Sequence, residues 1–280
     1  EAGGMSNEAA APQDVSDTNV QVQGVDEADF VKTDAEFLYT LSGDDMVIVA
    51  AWPADDMVEV GRVAVQGTPQ SLYRYGNDIV VLSNAWRGLF EDIANPQGKE
   101  TNSEEDYYYD WHNWQPLTVV TIIDASNPAS PQVKRAEAFE GYLTSTRRIG
   151  ADVYLVQTTY NYIDGLQYWP NVRWDAPLQE RLSALNRMVV DNLNRIDELT
   201  LADFLPYQYS VSSDGRINSD LAEFAADCHH IYLPSAHSGT NLTTVVTMNL
   251  DSGLTHGSAV PGNWGAVYAS ADAMYVAATN

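Results

Sequence analysis

The segment FVKTDAEFLYTLSG, residues 30–43, carries the pattern on which the fold prediction depends. A short polar stretch leads to the small residue Ala35, and an apolar run from Leu38 to Leu41 follows it. A small residue at a tight turn, followed by an apolar run, is typical of a strand that is buried on both faces.

The same pattern recurs three more times without gaps, in SLYRYGNDIVVLSN from Ser71, STRRIGADVYLVQT from Ser145 and AVYASADAMYVAAT from Ala266. The small residue at the equivalent position is Gly76, Gly150 or Ala271. The stretches between these windows share a second pattern, which is a strand, a turn rich in Pro, Asp, Asn or Gly, and a further strand. The chain is therefore predicted to repeat one all-β unit.

The spacing of the windows suggests what kind of unit this is. The windows begin at residues 30, 71, 145 and 266, so the spacings are 41, 74 and 121 residues. The first spacing matches the roughly 40-residue period of a four-stranded propeller blade. Insertions at 84–116 and 159–238 account for the longer spacings, and both leave the repeat just after the apolar strand. Because equivalent loops of a propeller emerge on one face, we expect both insertions on the same face.

The predicted fold is thus all-β: β-propeller blades, three units plus the start of a fourth, with loop and helical insertions. This partial propeller covers residues 18–280 and follows a disordered or extended segment at 1–17. A β-sandwich is the alternative, and it explains the spacing less well.

Three segments also resemble a known family. TNVQVQGVDEADFVKTDAEFLYTLSG (18–43) resembles the N-terminal signature of the secreted β-propeller domain proteins, distant relatives of WD-repeat propellers, and YLTSTRRIGADVYLV (142–156) and TTVVTMNLDSG (243–253) look like further family segments. The resemblance implies a secreted or cell-envelope propeller. The family has no established activity, so it supplies no catalytic residue.

Family members usually continue beyond this point, and a ring normally needs four to eight blades. We therefore expect the chain to be an N-terminal piece, completed by a missing C-terminal half or by a second chain. The segment NVQVQ (19–23) is predicted to be an added edge or closing strand.

The charge limits the classes of partner. The chain has 39 acidic residues against 14 Lys and Arg, for a net charge of −25. Such a surface repels phosphate backbones, which excludes nucleic acid and argues against direct binding to anionic membranes. It indicates high solubility or weak cation binding by acidic loops. The single cysteine, Cys228, excludes an internal disulfide framework.

Both insertions are rich in aromatic residues whose polar tips suit protein or sugar surfaces. The candidate ligand-binding residues are Tyr107, Tyr108, Tyr109, Trp111, Trp114, Tyr160, Tyr162, Tyr168, Trp169 and Trp174. The alternative is that these rings pack the two loops into a small satellite core.

The second insertion also contains an amphipathic helix from about residue 177. Its apolar residues recur at helical spacing: Leu178, Leu182, Leu185, Val189, Leu193 and Ile196. Asp175 is the predicted N-cap, and Pro177 suits the first turn. The helix either docks a partner or covers its own insertion.

The segment DCHHIYLP (227–234) is the candidate metal site. Cys228, His229 and His230 could bind copper or zinc, and His237, His112 and Asp227 could join them. Against this, adjacent residues of a strand point to opposite faces, so Cys228 would instead pack as a small hydrophobe. Calcium is a further candidate divalent cation, although SSDGRINSD (212–220) departs from the pattern of a calcium loop.

Three functions remain open at this point. The first is a non-enzymatic module at the cell surface that binds, or acts as a scaffold for, protein or glycan. The second is a metal-dependent or hydrolytic enzyme that uses the insertion face, although no GxSxG, P-loop or GxGxxG motif occurs. The third is a structural subunit of a larger extracellular assembly.

Overall fold

The structure, a computed structural model, describes residues 22–90, 115–160, 163, 165–217, 222–236, 239, 241–262 and 265–278. The predicted N-terminal segment 1–17 and most of NVQVQ lie outside these residues. Two compact units divide the chain. The inserted unit is Tyr160–Leu205, and the sheet unit is the remainder.

The sheet unit is built of antiparallel strands. Numbered in chain order, they are β1 (Val25–Asp26), β2 (Val31–Thr33), β3 (Phe37–Ser42), β4 (Asp45–Ala50), β5 (Val58–Ala64), β6 (Thr68–Tyr75), β7 (Asp78–Trp86), β8 (Pro116–Asp124), β9 (Gln132–Glu140), β10 (Tyr142–Ile149), β11 (Asp152–Thr159), β12 (Tyr207–Val211), β13 (Glu223–Phe224), β14 (Leu242–Asn249), β15 (Thr255–Pro261), β16 (Gly265–Ala269) and β17 (Met274–Ala278). The helices are α1 (Arg87–Phe90) and α2 (Leu178–Asp197), with short 3-10 helices at Ala54–Asp56, Leu201–Phe204 and Cys228–His230. None of the described helices is both long and apolar enough to cross a membrane.

Three four-stranded meanders form the body of the sheet unit. Their strand orders are β2-β3-β4-β5, β6-β7-β8-β9 and β10-β11-β14-β15, and the hairpin β16-β17 follows them. Each of the four sequence windows supplies the first two strands of its sheet. The predicted fold class, three blade-like units and the start of a fourth, is confirmed.

The small residue of each window lies at the hairpin turn. Tyr75 pairs with Asp78 across the turn that contains Gly76, and Ile149 pairs with Asp152 across the turn that contains Gly150. Both glycines have a φ of 59°, a left-handed conformation that a side chain disfavours.

The apolar run of β7 is buried on both faces, as the sequence predicts. Ile79 and Val81 pack in a cluster with residues of β3 and β4 from the first sheet. Val80 and Leu82 pack in a second cluster with residues of β11 and β14 from the third sheet. Alternating side chains of one strand therefore join three consecutive sheets, which explains why the sequence shows a continuous apolar run instead of an alternation.

The connections between the second and third strands differ in length. In the first sheet, β3 passes to β4 through residues 43 and 44 alone. In the second and third sheets, the equivalent connections run over residues 87–115 and 160–241. Both long connections thus leave their sheet at the same point of the repeat.

The longer connection also adds two strands to the sheet before its own. Strand β12 pairs antiparallel with β9, and β13 pairs with β12, so the second sheet is six-stranded. Glu140 of β9, which is only 5% exposed, holds β12 against the second sheet. Its carboxylate accepts hydrogen bonds from Tyr209 Oη at 2.7 Å and from Tyr207 N at 3.0 Å. Sequence reasoning did not predict this pairing.

Candidate binding site on the inserted unit

Helix α2 dominates the inserted unit. It begins after Pro177, which occupies the N-cap position without a side-chain cap. The prediction of Asp175 as N-cap is therefore wrong. Asp175 lies two residues before the N-cap, and its carboxylate accepts a hydrogen bond from the guanidinium of Arg173 at 2.8 Å.

Polar contacts on one side of α2 hold the unit together. The Asn192 side chain accepts a hydrogen bond from Gln167 N at 2.8 Å and donates one to Gln167 O at 2.7 Å. Arg195 Nη2 donates to Asp203 Oδ1 at 2.6 Å, which ties the helix to the following 3-10 helix. Hydrogen bonds from Thr200 N and Oγ1, together with the one from Arg195, lower the pKa of Asp203 to about 2.

The apolar residues of α2 lie on a different side and are exposed. Leu178 is 64% exposed and Leu185 is 41% exposed. The residues of this apolar stripe, each at least 41% exposed, are Leu178, Leu182, Leu185, Val189, Leu193 and Ile196. An amphipathic helix normally buries its apolar stripe, so this exposure is unusual.

Two tryptophans of the same unit are also exposed. Trp174 is 89% exposed and Trp169 is 79% exposed. Tyr168 and Tyr160 are about half exposed, and Tyr168 Oη accepts a hydrogen bond from Ile163 N at 3.1 Å. The other candidate aromatic residues, Tyr107, Tyr108, Tyr109, Trp111, Trp114 and Tyr162, lie outside the described residues.

The exposed apolar side of α2 is long and narrow. A helix of 20 residues is about 30 Å long, so the apolar stripe offers a narrow contact line of about that length. Removal of leucine and indole side chains from water lowers the free energy, and tryptophan is enriched among the residues that dominate the energy of protein interfaces.

The candidate metal ligands lie in the sheet unit, on a short turn. Cys228–His230 is a 3-10 helix, and Cys228 is exposed. The expectation of a half-buried strand, with Cys228 packed as a small hydrophobe, is therefore wrong. Ligand atoms of Asp227, Cys228 and His229 all lie within 4.8 Å of one another. His230 contributes its Nδ1 at 3.2 Å from Asp227 Oδ2, whereas His237 and His112 lie outside the described residues.

A comparison with protein families shows which family the chain belongs to. The sequence profile described as "Beta propeller domain" matches residues 15–280, which is nearly the whole chain. The chain belongs to this β-propeller family. Comparisons with curated proteins and with solved structures returned no match.

The N-terminal segment joins three blades of the propeller. Strand β1 pairs with β10 of the third blade, with Asp26 opposite Arg148. Asp29 then exchanges two backbone hydrogen bonds with Leu72 of the second blade, at 2.6 and 3.1 Å. The chain continues into β2 of the first blade. We call residues 24–33 the N-terminal clasp.

Charged side chains stabilise the N-terminal clasp of the propeller. Asp26 lies 2.8 Å from both Lys32 Nζ and Arg148 Nη2, and Glu27 lies 3.3 Å from Arg147 Nη2. Sequence reasoning missed this cluster, although the acids of GVDEAD and the basic pair of STRRIG were a signal. Because the acidic and basic side chains form ion pairs with each other, we assign them a structural role in the N-terminal clasp.

Proposed function

We propose that the protein is a non-enzymatic binding module whose β-propeller carries the inserted unit as a docking surface for another protein. The observation that supports the proposal is the exposure of the apolar stripe together with Trp169 and Trp174. The polar contacts of α2 lie within the inserted unit, whereas its apolar stripe is exposed to water. Such a surface is characteristic of a helix that docks into a groove or against a second helix.

The partner is a protein with an apolar contact line. This line follows from the stripe, whose residues recur every three or four positions along α2. The net charge of −25 belongs to the whole chain and favours cationic over anionic partners at long range. A membrane surface fits less well, because anionic headgroups would be repelled.

The protein is further proposed to act outside the cytoplasm, in the secreted fraction or at the cell envelope. The family resemblance of residues 18–43 supports this location. Fractionation of cells that naturally make the protein tests it, and recovery in the cytoplasmic fraction alone would refute it.

The docking proposal is tested first by placing a photoreactive amino acid at position 185 or, separately, at position 194, which lies on the opposite side of α2. Position 185 is expected to form an adduct with one other protein, whereas position 194 forms none. The adduct partner is then purified, so that its affinity for the wild type and for variants can be measured.

The decisive comparison is between two double variants that add the same charge. Leu185→Asp/Val189→Asp places both acids in the stripe, and Ser183→Asp/Asn194→Asp places them on the polar side. The stripe variant is expected to bind the partner about 100-fold more weakly or worse, and the polar variant to bind like the wild type.

Three results would overturn the proposal. The first is equal binding by both double variants. The second is an adduct with a second copy of this chain alone, which would make the stripe a contact between copies. The third is a glycan ligand whose binding depends on Trp169 and Trp174 while Leu185 and Val189 have no effect.

A further inference from the structure

The segment that follows the inserted unit runs along the second and third blades. It pairs with the second blade through β12, and Ala225 N donates a hydrogen bond to Pro206 O at 2.8 Å. It then reaches the third blade, where Ile231 bridges to Ala259 and Tyr232 N donates to Ala259 O at 2.8 Å. We call the described residues 206–217 and 222–232 the outer strap.

The turn with Asp227, Cys228, His229 and His230 lies within the outer strap. Both of its flanks are anchored, because Ala225 and Ala226 are 2% and 1% exposed on one side and Ile231 bridges to β15 on the other. The four potential ligands are thus exposed, but the backbone that carries them is held at both ends. Such a backbone restricts the positions of its side chains before any ion binds.

We propose that Asp227, Cys228 and His229, with His230 as the fourth ligand, form a binding site for a zinc ion on the outer strap. A tetrahedral zinc with bonds of about 2.0–2.3 Å places its ligand atoms about 3.3–3.7 Å apart. His229 Nδ1 is 3.3 Å from Asp227 Oδ1, and His230 Nδ1 is 3.2 Å from Asp227 Oδ2. The Cys228 sulfur lies within 4.8 Å of the Asp227 and His229 ligand atoms, whereas His230 approaches the other carboxylate oxygen of Asp227 and must rotate to join these three.

The Asp227 side chain is already oriented for this role. Its Oδ1 accepts a hydrogen bond from His229 N at 2.6 Å, which places the carboxylate over the turn. The 3-10 conformation explains why consecutive residues can converge. On a strand, adjacent side chains would point to opposite faces, whereas here three consecutive residues direct their ligand atoms to one place.

The donor set favours zinc over calcium. One thiolate, one carboxylate and imidazole nitrogens are ligands that zinc binds in proteins, whereas calcium requires six to eight oxygens. When zinc binds, the Cys228 thiol releases its proton to solvent, and the two anionic ligands then balance the charge of the ion. Because the turn is solvent-exposed, zinc can enter without any opening of the fold.

Binding would stabilise the connection between the second and third blades. A ligand that binds only the folded strap shifts the equilibrium away from the detached strap. Zinc is therefore expected to slow hydrogen exchange in residues 223–232 and leave exchange in the first blade unchanged.

The test uses the purified chain with cobalt(II) as a spectroscopic probe and zinc in competition with a chromophoric chelator. The expected result is one ion per chain, visible tetrahedral cobalt bands and a thiolate-to-cobalt charge-transfer band. Cys228→Ser is expected to abolish that band and to weaken zinc binding by about 100-fold. His229→Gln is expected to weaken binding as well, whereas His256→Gln, an exposed histidine of β15, serves as the control.

A second measurement does not depend on any variant. Saturating zinc is expected to slow alkylation of Cys228 by iodoacetamide at least tenfold, because the sulfur is then coordinated. The proposal is overturned by the absence of a charge-transfer band, by zinc affinity that is equal in the wild type and Cys228→Ser, or by binding only at millimolar zinc.

Discussion

Asp26 connects two blades through its two carboxylate oxygens, with Oδ2 2.8 Å from Arg148 Nη2 in the third blade and Oδ1 2.8 Å from Lys32 Nζ at the start of the first. The side chains of Lys32 and Arg148 are only 9% and 18% exposed. Removal of the anion between them would leave two poorly hydrated cations facing each other.

Asp26→Asn is therefore expected to lower the free energy of unfolding by about 2 kcal/mol. The matched control is Asp45→Asn, which removes one of the two acidic partners of Arg62 on the surface of the first blade, where the Arg62 side chain is 46% exposed. That control is expected to cost less than about 1 kcal/mol. Chemical denaturation of the three proteins gives the comparison, and equal losses would refute a structural role for the N-terminal clasp.

Tyr209→Phe tests the attachment of the outer strap to the second blade. The variant removes the hydroxyl that donates to the buried Glu140 at 2.7 Å, and it is expected to cost about 1–2 kcal/mol. Hydrogen exchange in β12 should accelerate. Tyr232→Phe, at a residue that is 57% exposed, should change stability by less than about 0.5 kcal/mol. Unchanged exchange in β12 of Tyr209→Phe would contradict the pairing of β12 with β9.

Gly257→Ala tests the close approach of the outer strap to the third blade. A Cβ at Gly257 would lie 1.9 Å from the carbonyl oxygen of Ala225, so the strap must move away, at an expected cost of about 2–3 kcal/mol. Gly76→Ala is the control, because its Cβ meets nothing within 4 Å and its φ of 59° costs only about 1 kcal/mol. Proteolysis near residues 223–232 should accelerate only in Gly257→Ala, and equal behaviour of both variants would refute the contact.

Tyr39 is expected to make stability fall at alkaline pH. Burial, followed by the hydrogen bond from Tyr39 Oη to Asp34 Oδ2 at 2.7 Å, raises the pKa of Tyr39 to about 12. Since an unfolded tyrosine titrates near pH 10, the unfolded chain binds fewer protons between pH 10 and 12, and the free energy of unfolding declines as the pH rises through that window. Tyr39→Phe should have a shallower decline, and identical slopes would contradict the shift.

The repeated blades could be predicted from the sequence because their signals are local. The run from Ile79 to Leu82 shows burial on both faces, and Gly76 shows the turn that precedes it. The insertion points follow from the same alignment, since extra residues must leave between two recognisable strands.

The additions to the blades could not be predicted, because they depend on contacts between distant parts of the chain. Tyr209 lies 69 residues after Glu140, and no periodicity connects them. Asp26 and Arg148, 122 residues apart, show only complementary charge. At Cys228 the local geometry was misread: Asp227 caps a 3-10 helix, and this turn brings together side chains that a strand would separate.

The exposure of the inserted unit is the physical basis of the proposed docking function, and carbene footprinting of the purified chain measures it most directly. Trp169, Trp174 and the stripe residues Leu185 and Val189 are expected to be labelled heavily, whereas the buried Leu155 is protected. If the tryptophans and the stripe were labelled as slowly as Leu155, the chain itself would cover this surface, and the docking function would be contradicted.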